Sequence, residues 1–212
     1  FEGDAIIAFW GAPLNLPNHA TVACHATLEM QKRGEELRKM LREQSRPLLF
    51  TRMGLNSGPV VVGNMGSAER MDYTMMGDVV NLAARLEGAN KFYKTFSMIS
   101  GSTYELAKDD IDSRLLDIIR VVGKNEPVPV HELLARKNET SSEMSGVVEQ
   151  YQKGLKLYQD RNFKDAISEF EKVLAIDSED GPSQTYIKRC GMFLESPPEK
   201  DWDGVFTFTE KG

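Results

Sequence analysis

The sequence predicts an α+β fold that is followed by an all-α helical module. Residues 1–136 alternate between strand-like and helix-like segments, which is typical of an α+β sandwich. Residues 137–146 (KNETSSEMSG) are polar and show no periodicity, so we expect a linker there. Residues 147–196 carry apolar side chains at helical spacing only, whereas residues 197–212 show no period. We therefore predict a domain, a linker, a helical hairpin module and a C-terminal tail.

Local periodicity and turn residues predict the elements of the α+β domain. Residues 4–10 (DAIIAFW) are expected to form a strand, and residues 19–44 a long amphipathic helix. Residues 48–67 are expected to form two strands joined at residues 57–59. A helix is expected to start near residue 77. It is followed by a predicted strand near residues 96–100 and a predicted helix near residues 102–107. The last two predicted strands, at residues 114–122 and 128–134, are joined by a turn at residues 123–127.

The helix expected to begin at Gly77, with Asp78 as its N-cap, carries two polar residues within an apolar body. Asn81 and Arg85 lie four residues apart, so their side chains share one helix face. Two interpretations of this face stay open from the helix alone. The arginine can pair with a carboxylate across a subunit contact while the asparagine caps a loop, or both can line a ligand site.

Three further residues favour the ligand site. Thr74 precedes Asn81 by seven residues, and the turn at Gly77 can bring Thr74 to the same pocket. Asp4 stands at the start of a predicted strand, where its carboxylate can bind a divalent cation. Arg52 comes just before the segment GLNSG and is a candidate phosphate contact.

Three motifs in this part of the chain resemble one family. GDAIIAFWGAP, RMGLNSGPVVVGNMGS and DYTMMGDVVNLAARLE, in this order, are similar to the catalytic domain of class III nucleotidyl cyclases. The resemblance covers residues 1–136. It implies a βαββαβ palm of the ferredoxin-like kind, working as a homodimer with each active site at the interface. The family's first strand and helix have no counterpart here, so we expect the domain to be N-terminally truncated.

The resemblance also implies roles for three of the candidate residues. Two divalent cations, Mg²⁺ or Mn²⁺, are held in the family by two aspartates. Asp4 matches the second of these, and the first would lie upstream of the chain. Asn81 matches the asparagine that orients the ribose, and Arg85 matches the arginine that stabilises the transition state at the α-phosphate.

Nucleotide contacts are implied in the same way. Arg52 matches an arginine associated with the polyphosphate. Lys124 can also reach phosphate, although Val122 stands where the family loop more often has lysine. Thr74 aligns with one of two purine-reading positions, and a threonine there resembles the adenylate-forming members. The other purine-reading position would lie upstream of the chain.

The resemblance therefore implies an adenylate cyclase, which converts ATP to 3′,5′-cyclic AMP and pyrophosphate. Because half of the base determinant lies upstream, a guanylate cyclase is one alternative. Another is a catalytically silent cyclase-like domain that only dimerises and signals, although the joint presence of Asp4, Asn81 and Arg85 argues against it. A third is an interaction protein whose working part is the helical module.

The helical module resembles a tetratricopeptide repeat. Gly154, Ala166 and Phe170 have the spacing of the small and aromatic positions of that repeat, although two other positions lack its usual tyrosine and proline. Because one repeat cannot bury its own faces, residues 182–195 are expected to form a third, capping helix. The module is thus a candidate surface for a protein partner.

Composition and charge limit the classes of function. The chain has 212 residues and a formal net charge of −6, which argues against a nucleic-acid binder. It has no apolar run of the ~18 residues that a membrane span needs. Its two cysteines, Cys24 and Cys190, fit reduced thiols of a cytoplasmic protein. Because the chain starts inside a predicted strand, we expect an upstream part, including any membrane tether, to be missing from it.

Overall fold

The structure is a computed structural model and describes residues 3, 5–67, 70–120 and 126–207. The helices in this part of the chain are α1 (His19–Glu43), α2 (Asp78–Tyr93), α3 (Gly101–Ala107), α4 (Ser142–Gln159), α5 (Phe163–Ile176) and α6 (Gly181–Glu195). The strands are β1 (Met53–Leu55), β2 (Val61–Ser67), β3 (Arg70–Met76), β4 (Ser97–Ser100), β5 (Ile111–Arg120), β6 (Val128–Arg136) and β7 (Phe206–Thr207).

A five-stranded mixed sheet forms the centre of the fold, in the order β1-β4-β6-β5-β7. β1 pairs with β4, and β5 with β7, in parallel, whereas β6 pairs antiparallel with both β4 and β5. β2 and β3 form a separate antiparallel hairpin, in which Thr74 lies opposite Gly63. The α+β class expected from the sequence is therefore confirmed.

The expectations for two strand regions are corrected by the structure. The two strands expected in residues 48–67 are present, but they enter different sheets, because local periodicity does not encode a strand's partner. Residues 5–10 contain a single bridge at Ala5 and otherwise no strand. A strand needs a neighbour for its backbone hydrogen bonds. No strand of the described part pairs with Ile6, whose side chain is 74% exposed.

The start of α2 depends on Gly77, whose φ of 150° and ψ of 161° lie in a region that is essentially restricted to glycine. Gly77 is the N-cap, so the expectation of an Asp78 cap is wrong. The Asp78 carboxylate lies instead in the first turn of the helix, where the helix dipole favours negative charge. Leu82 and Leu86 of the same helix are buried in the core.

The C-terminal helices begin earlier than the sequence suggests. Ser141 is the N-cap of α4, and its hydroxyl accepts a hydrogen bond from the Met144 amide at 3.2 Å. Only residues 137–141 of the expected linker 137–146 therefore lie outside a helix, because a serine cap turns this polar segment into a helix start. The expected capping helix is present as α6.

Helices α4 and α5 pack closely at the positions singled out in the sequence. A Cβ atom on Gly154 would come within 2.8 Å of the Phe170 ring, so only glycine allows this approach. The assignment of these helices to the tetratricopeptide class stays a prediction. None of the helices in the part of the chain that is described is both long and apolar enough to cross a lipid bilayer.

One apolar core extends from the sheet through the C-terminal helices. Leu116 of β5 clusters with Tyr151 of α4, Phe170 of α5 and Tyr186 of α6. The Tyr151 and Tyr186 hydroxyls both donate to the Leu116 carbonyl, at 2.9 and 3.1 Å. A smaller cluster packs α1 against the opposite face, to which Ile99 of β4 contributes. The sheet thus lies between α1 and α3 on one face and α2 with α4–α6 on the other.

Candidate active site

Helix α2 presents Asn81 and Arg85 to solvent. Both side chains are exposed, whereas the neighbouring Leu82 and Leu86 are buried. Neither polar side chain forms a hydrogen bond or an ion pair with another residue of the described part. A guanidinium carries five N–H donors in one plane, and an amide carries both donors and an acceptor. This face can therefore bind a phosphate next to a hydroxyl-bearing group.

Asn56 fixes the first turn of α2. Its Nδ2 donates to the Val79 carbonyl at 2.9 Å, and its Oδ1 accepts from the Ser102 hydroxyl at 3.1 Å. Asn56 thereby links the start of α2 to the start of α3. Sequence reasoning missed this role, although a polar side chain between Gly54 and Gly58 was a usable signal.

Asn90 fixes the other half of α2 to the sheet. It is fully buried, and its Nδ2 donates to the Met53 carbonyl of β1 at 3.0 Å. Its Oδ1 accepts from the Thr95 hydroxyl at 2.9 Å. Between these two anchor points α2 lies directly on the backbone of Gly54. The position of the Asn81–Arg85 face is thus set by contacts with β1 and its flanking residues.

Arg52 does not join the Asn81–Arg85 face in this structure. It lies one residue before β1, and its Nε donates to Glu87 Oε1 of α2 at 3.0 Å. Glu87 follows Arg85 by two residues, which is about 200° around a helix. The Arg52–Glu87 pair therefore lies on a different side of α2 from Arg85. Glu87 accepts from the Nε of Arg52 only, so the Nη groups of this exposed arginine keep donors for a phosphate.

Thr74 lies in β3, three residues before the turn at Gly77, and is half-buried. The chain passes from this turn directly into α2, so Thr74 and Asn81 occupy adjoining ends of consecutive elements. Four apolar side chains of the hairpin are exposed by 49% to 68%, namely Val61, Met71, Tyr73 and Met76. The strand register places Val61 and Met76 on the face of the hairpin that also carries Thr74, and Met71 and Tyr73 on the opposite face, so each face exposes two apolar side chains.

The predicted metal ligand and one predicted phosphate contact cannot be placed. Asp4 and Lys124 lie outside the described residues. Within the described residues, no group of three or more histidine, cysteine, aspartate or glutamate side chains is arranged to hold a metal ion.

Comparison with known families decides what kind of domain this geometry belongs to. Residues 1–134 match the family model of the adenylate and guanylate cyclase catalytic domain. The chain belongs to this family. The matched segment ends within β6, so helices α4–α6 follow the cyclase domain in the chain.

Curated relatives of this cyclase domain include proteins from distant organisms. Adenylate cyclase 1 of Rhizobium meliloti (strain 1021) is 37% identical over 134 residues, which is 63% of this chain and 20% of the relative. The terminal-differentiation specific adenylate cyclase of Dictyostelium discoideum is 34% identical over 144 residues, which is 66% of this chain and 7% of the relative. The chain thus spans a fifth or less of the length of these two relatives.

Solved cyclase structures resemble the same region. The adenylyl cyclase CyaB from P. aeruginosa has a TM-score of 0.55 and 33% sequence identity, with 63% of this chain and 68% of that chain covered. The guanylyl cyclase Cya2 has a TM-score of 0.53 and 29% identity, with coverages of 62% and 66%. The cyclase domain is therefore similar to members named for either nucleotide.

Proposed function

We propose that this chain is the catalytic region of an adenylate cyclase, which converts ATP to 3′,5′-cyclic AMP and pyrophosphate. The observation that carries the proposal is the solvent-facing pair of Asn81 and Arg85 on α2, within a domain that belongs to a cyclase family. Similarity to the adenylate cyclases of R. meliloti and P. aeruginosa supports ATP as the substrate.

The reaction joins the ribose 3′-oxygen to the α-phosphorus and breaks the bond from that phosphorus to the oxygen that leaves with pyrophosphate. The 3′-hydroxyl proton passes to solvent. Asn81 holds the ribose so that its 3′-oxygen lies in line with the leaving oxygen, which supplies orientation. Arg85 donates N–H groups to the α-phosphate oxygens, on which negative charge increases in the transition state.

The proposed cofactors are two divalent cations, Mg²⁺ or Mn²⁺, which supply charge neutralisation at the phosphates when bound. Asp4 is the ligand that the sequence predicts within this chain. Arg52 and Lys124 are the proposed polyphosphate contacts, and the Nη groups of Arg52 are the donors that its pair with Glu87 does not use.

A homodimer is the proposed active form. Asp4 precedes α1, whereas Asn81 and Arg85 follow it, and the resemblance assigns these two groups to opposite sides of a two-fold interface. Val61 and Met76 support this arrangement, because they are exposed on the same face of the β2–β3 hairpin as Thr74 and a second copy of the chain would bury them.

Thr74 is the proposed adenine reader, since its hydroxyl can accept a hydrogen bond from the adenine amino group. A guanylate cyclase is the second candidate function. It is favoured by the similarity to the guanylyl cyclase Cya2. An assay therefore has to decide whether the substrate carries adenine or guanine.

The helices α4–α6 are proposed as a tetratricopeptide-like surface for a protein partner. The close packing of Phe170 on Gly154 supports this class. We also propose that the catalytic region acts in the cytoplasm, where ATP is available.

A turnover assay on the full-length protein tests the proposal. Cyclic nucleotide production from ATP and from GTP is measured with Mg²⁺ and with Mn²⁺, and the Arg85→Ala variant serves as the control for contaminating activity. Cyclic AMP formation that is lost in this variant is the expected result. Cyclic GMP as the main product would favour the guanylate cyclase, and the absence of both products with either metal would favour a silent domain.

A further inference from the structure

Helix α6 holds the C-terminal end of α2, the helix that carries Asn81 and Arg85. The Thr185 hydroxyl donates to the Phe92 carbonyl at 2.8 Å, and Lys94 Nζ donates to Gln184 Oε1 at 2.6 Å. A Cβ atom on Gly181 would come within 2.5 Å of the Tyr93 carbonyl oxygen. The last turn of α2 therefore lies in direct contact with the helical layer α4–α6.

Arg189 of α6 adds buried hydrogen bonds that join α6 to both α2 and β5. Its Nη1 donates to Asp117 Oδ2 of β5 at 2.6 Å, and its Nη2 donates to the Tyr93 hydroxyl of α2 at 3.1 Å. The Tyr93 hydroxyl in turn donates to Asp117 Oδ2 at 2.6 Å. The three groups form a closed triangle that joins one residue from each of α6, β5 and α2.

The triangle is buried and has little freedom to rearrange. The side chains of Arg189 and Asp117 are 7% and 1% exposed, and Tyr93 is fully buried. The guanidinium also lies over the rings of Tyr186 and Phe206, at 5.1 and 3.7 Å from their centroids. If Arg189 or Asp117 is removed, the other is left as an uncompensated buried charge, so this ion pair is strongly held.

Because α2 carries both Tyr93 and the pair Asn81 and Arg85, the contact at Tyr93 affects the positions of that pair. Tyr93 lies eight residues from Arg85, which is about 12 Å along a helix. The middle of α2 rests on Gly54, whose Cβ would come within 2.3 Å of the Ala83 carbonyl oxygen. Asn56, Gly54 and Asn90 hold the rest of α2, and the contact at Tyr93 holds its C-terminal end. Loss of the contact at Tyr93 allows the helix to tilt about the remaining contacts, which shifts Arg85.

We propose that Arg189 is a positioning residue for Asn81 and Arg85, and that the helical layer α4–α6 thereby sets the turnover rate of the cyclase domain. This inference rests on the proposed function. A misplacement of about 1 Å in a catalytic group can cost on the order of a hundredfold in rate. The helical layer is then a built-in part of the catalytic geometry.

The experiment compares Arg189→Gln with a matched control, Arg114→Gln, in the full-length protein. Arg114 is equally buried and also joins α6 to the sheet, through Asp180 at 2.6 Å and Glu132 at 2.5 Å. None of its contacts within the described part involves α2. Both variants lose a buried charge network, but only Arg189→Gln removes a side chain that itself contacts α2.

Two readouts are taken for each variant, both per folded protein. The first is the kcat and the KM for ATP, and the second is amide hydrogen exchange in residues 78–93. We expect Arg189→Gln to lower kcat at least tenfold with KM within threefold, and to speed exchange in α2. Arg189→Lys should recover part of the kcat, since it keeps a charge for Asp117. Arg114→Gln should leave kcat within twofold and exchange in α2 unchanged.

Each outcome decides the inference. Equal effects of Arg189→Gln and Arg114→Gln on kcat and on α2 exchange would overturn it, because the contact would then be merely structural. If Arg189→Gln does not fold, Thr185→Val removes a surface hydrogen bond of the same contact and should lower kcat two- to fivefold. An unchanged kcat in Thr185→Val would count against the inference. If the wild type makes no cyclic nucleotide, the proposed function fails, and α2 exchange alone still decides the positioning role.

Discussion

Gly54 of β1 and Ala83 of α2 are in direct backbone contact. A Cβ atom on Gly54 would come within 2.3 Å of both the Ala83 carbonyl oxygen and the Glu87 amide nitrogen, distances at which no side chain can be accommodated without movement of the helix. Because α2 carries Asn81 and Arg85, this contact links a strand glycine to the geometry of the proposed active site.

The first prediction concerns this contact. Gly54→Ala should lower the free energy of unfolding by about 1–3 kcal/mol, because α2 must shift to relieve the overlap. Turnover of cyclic nucleotide per folded protein should fall as well. Urea denaturation measures the first effect. Gly63→Ala is the matched control, since nothing lies within 4 Å of its added Cβ, and its change should stay within about 0.5 kcal/mol. If Gly54→Ala and Gly63→Ala were equally stable, the result would contradict the close contact between Gly54 and α2.

The second prediction concerns the polar face of α2. In the full-length protein, Asn81→Ala and Arg85→Ala should each lower kcat on the order of 10²–10³-fold, which is typical for loss of one positioned donor. The melting temperature should stay near that of the wild type, because both side chains are exposed. Lys91→Ala is the control, an exposed basic residue on the same helix. A near-normal kcat in Arg85→Ala would rule out its proposed role.

The third prediction tests whether one site is built from two protomers. Full-length Asp4→Ala and Arg85→Ala proteins should each be inactive, but their mixture should recover about a quarter of wild-type activity. Random exchange makes about half of the dimers heterodimers, and each of these has one intact site of two. Differently tagged chains verify that exchange occurred. A mixture that exchanges and remains inactive would show that each protomer builds its own site.

The fourth prediction concerns stability at acidic pH. His131 of β6 is buried and stacks on Tyr104, with ring centroids 4.1 Å apart, and burial lowers its pKa to about 4 from the ordinary 6.5. The unfolded chain then binds the proton first as the pH falls. The contribution of neutral His131 is complete above pH 6.5 and decreases towards pH 4, by about 3 kcal/mol in total.

Urea denaturation at pH 7.5 and at pH 5 checks this sign. The wild type should lose more stability between the two values than His131→Phe, in which an aromatic ring that does not titrate occupies the same space beside Tyr104. Parallel losses in the two proteins would mean that His131 does not titrate as its burial requires.

Much of the fold was predictable from local pattern. The apolar periods of α1, α2, β5 and β6 predicted these elements to within a few residues, since each buries one face. Residues 4–10 were predicted as a strand from the same kind of signal, but a strand also needs a partner, and periodicity does not name one. For the same reason, the local sequence pattern could not predict that β1 and β2 belong to different sheets.

The site was predictable only in part. The shared face of Asn81 and Arg85 followed from their spacing, and the structure leaves both exposed. The pairing of Arg52 with Glu87 did not follow, because the two residues are 35 positions apart and only the fold brings α2 against β1. The ion pair of Arg189 with Asp117 was not predictable for the same reason, because a lone arginine in a helical segment gives no sign of a buried carboxylate on a distant strand.

The core that the sheet shares with α4–α6 has a consequence for how such a protein can evolve. The family match ends at residue 134, yet Leu116 on the sheet is covered by Tyr151 and Tyr186 from beyond that point. If a gene rearrangement removed the residues beyond this boundary, an apolar face of the sheet and the Asp117 carboxylate would be exposed to water. In this chain the sheet and the helices α4–α6 therefore stabilise each other, and a segment exchange that keeps this fold has to retain both or cover the exposed face anew.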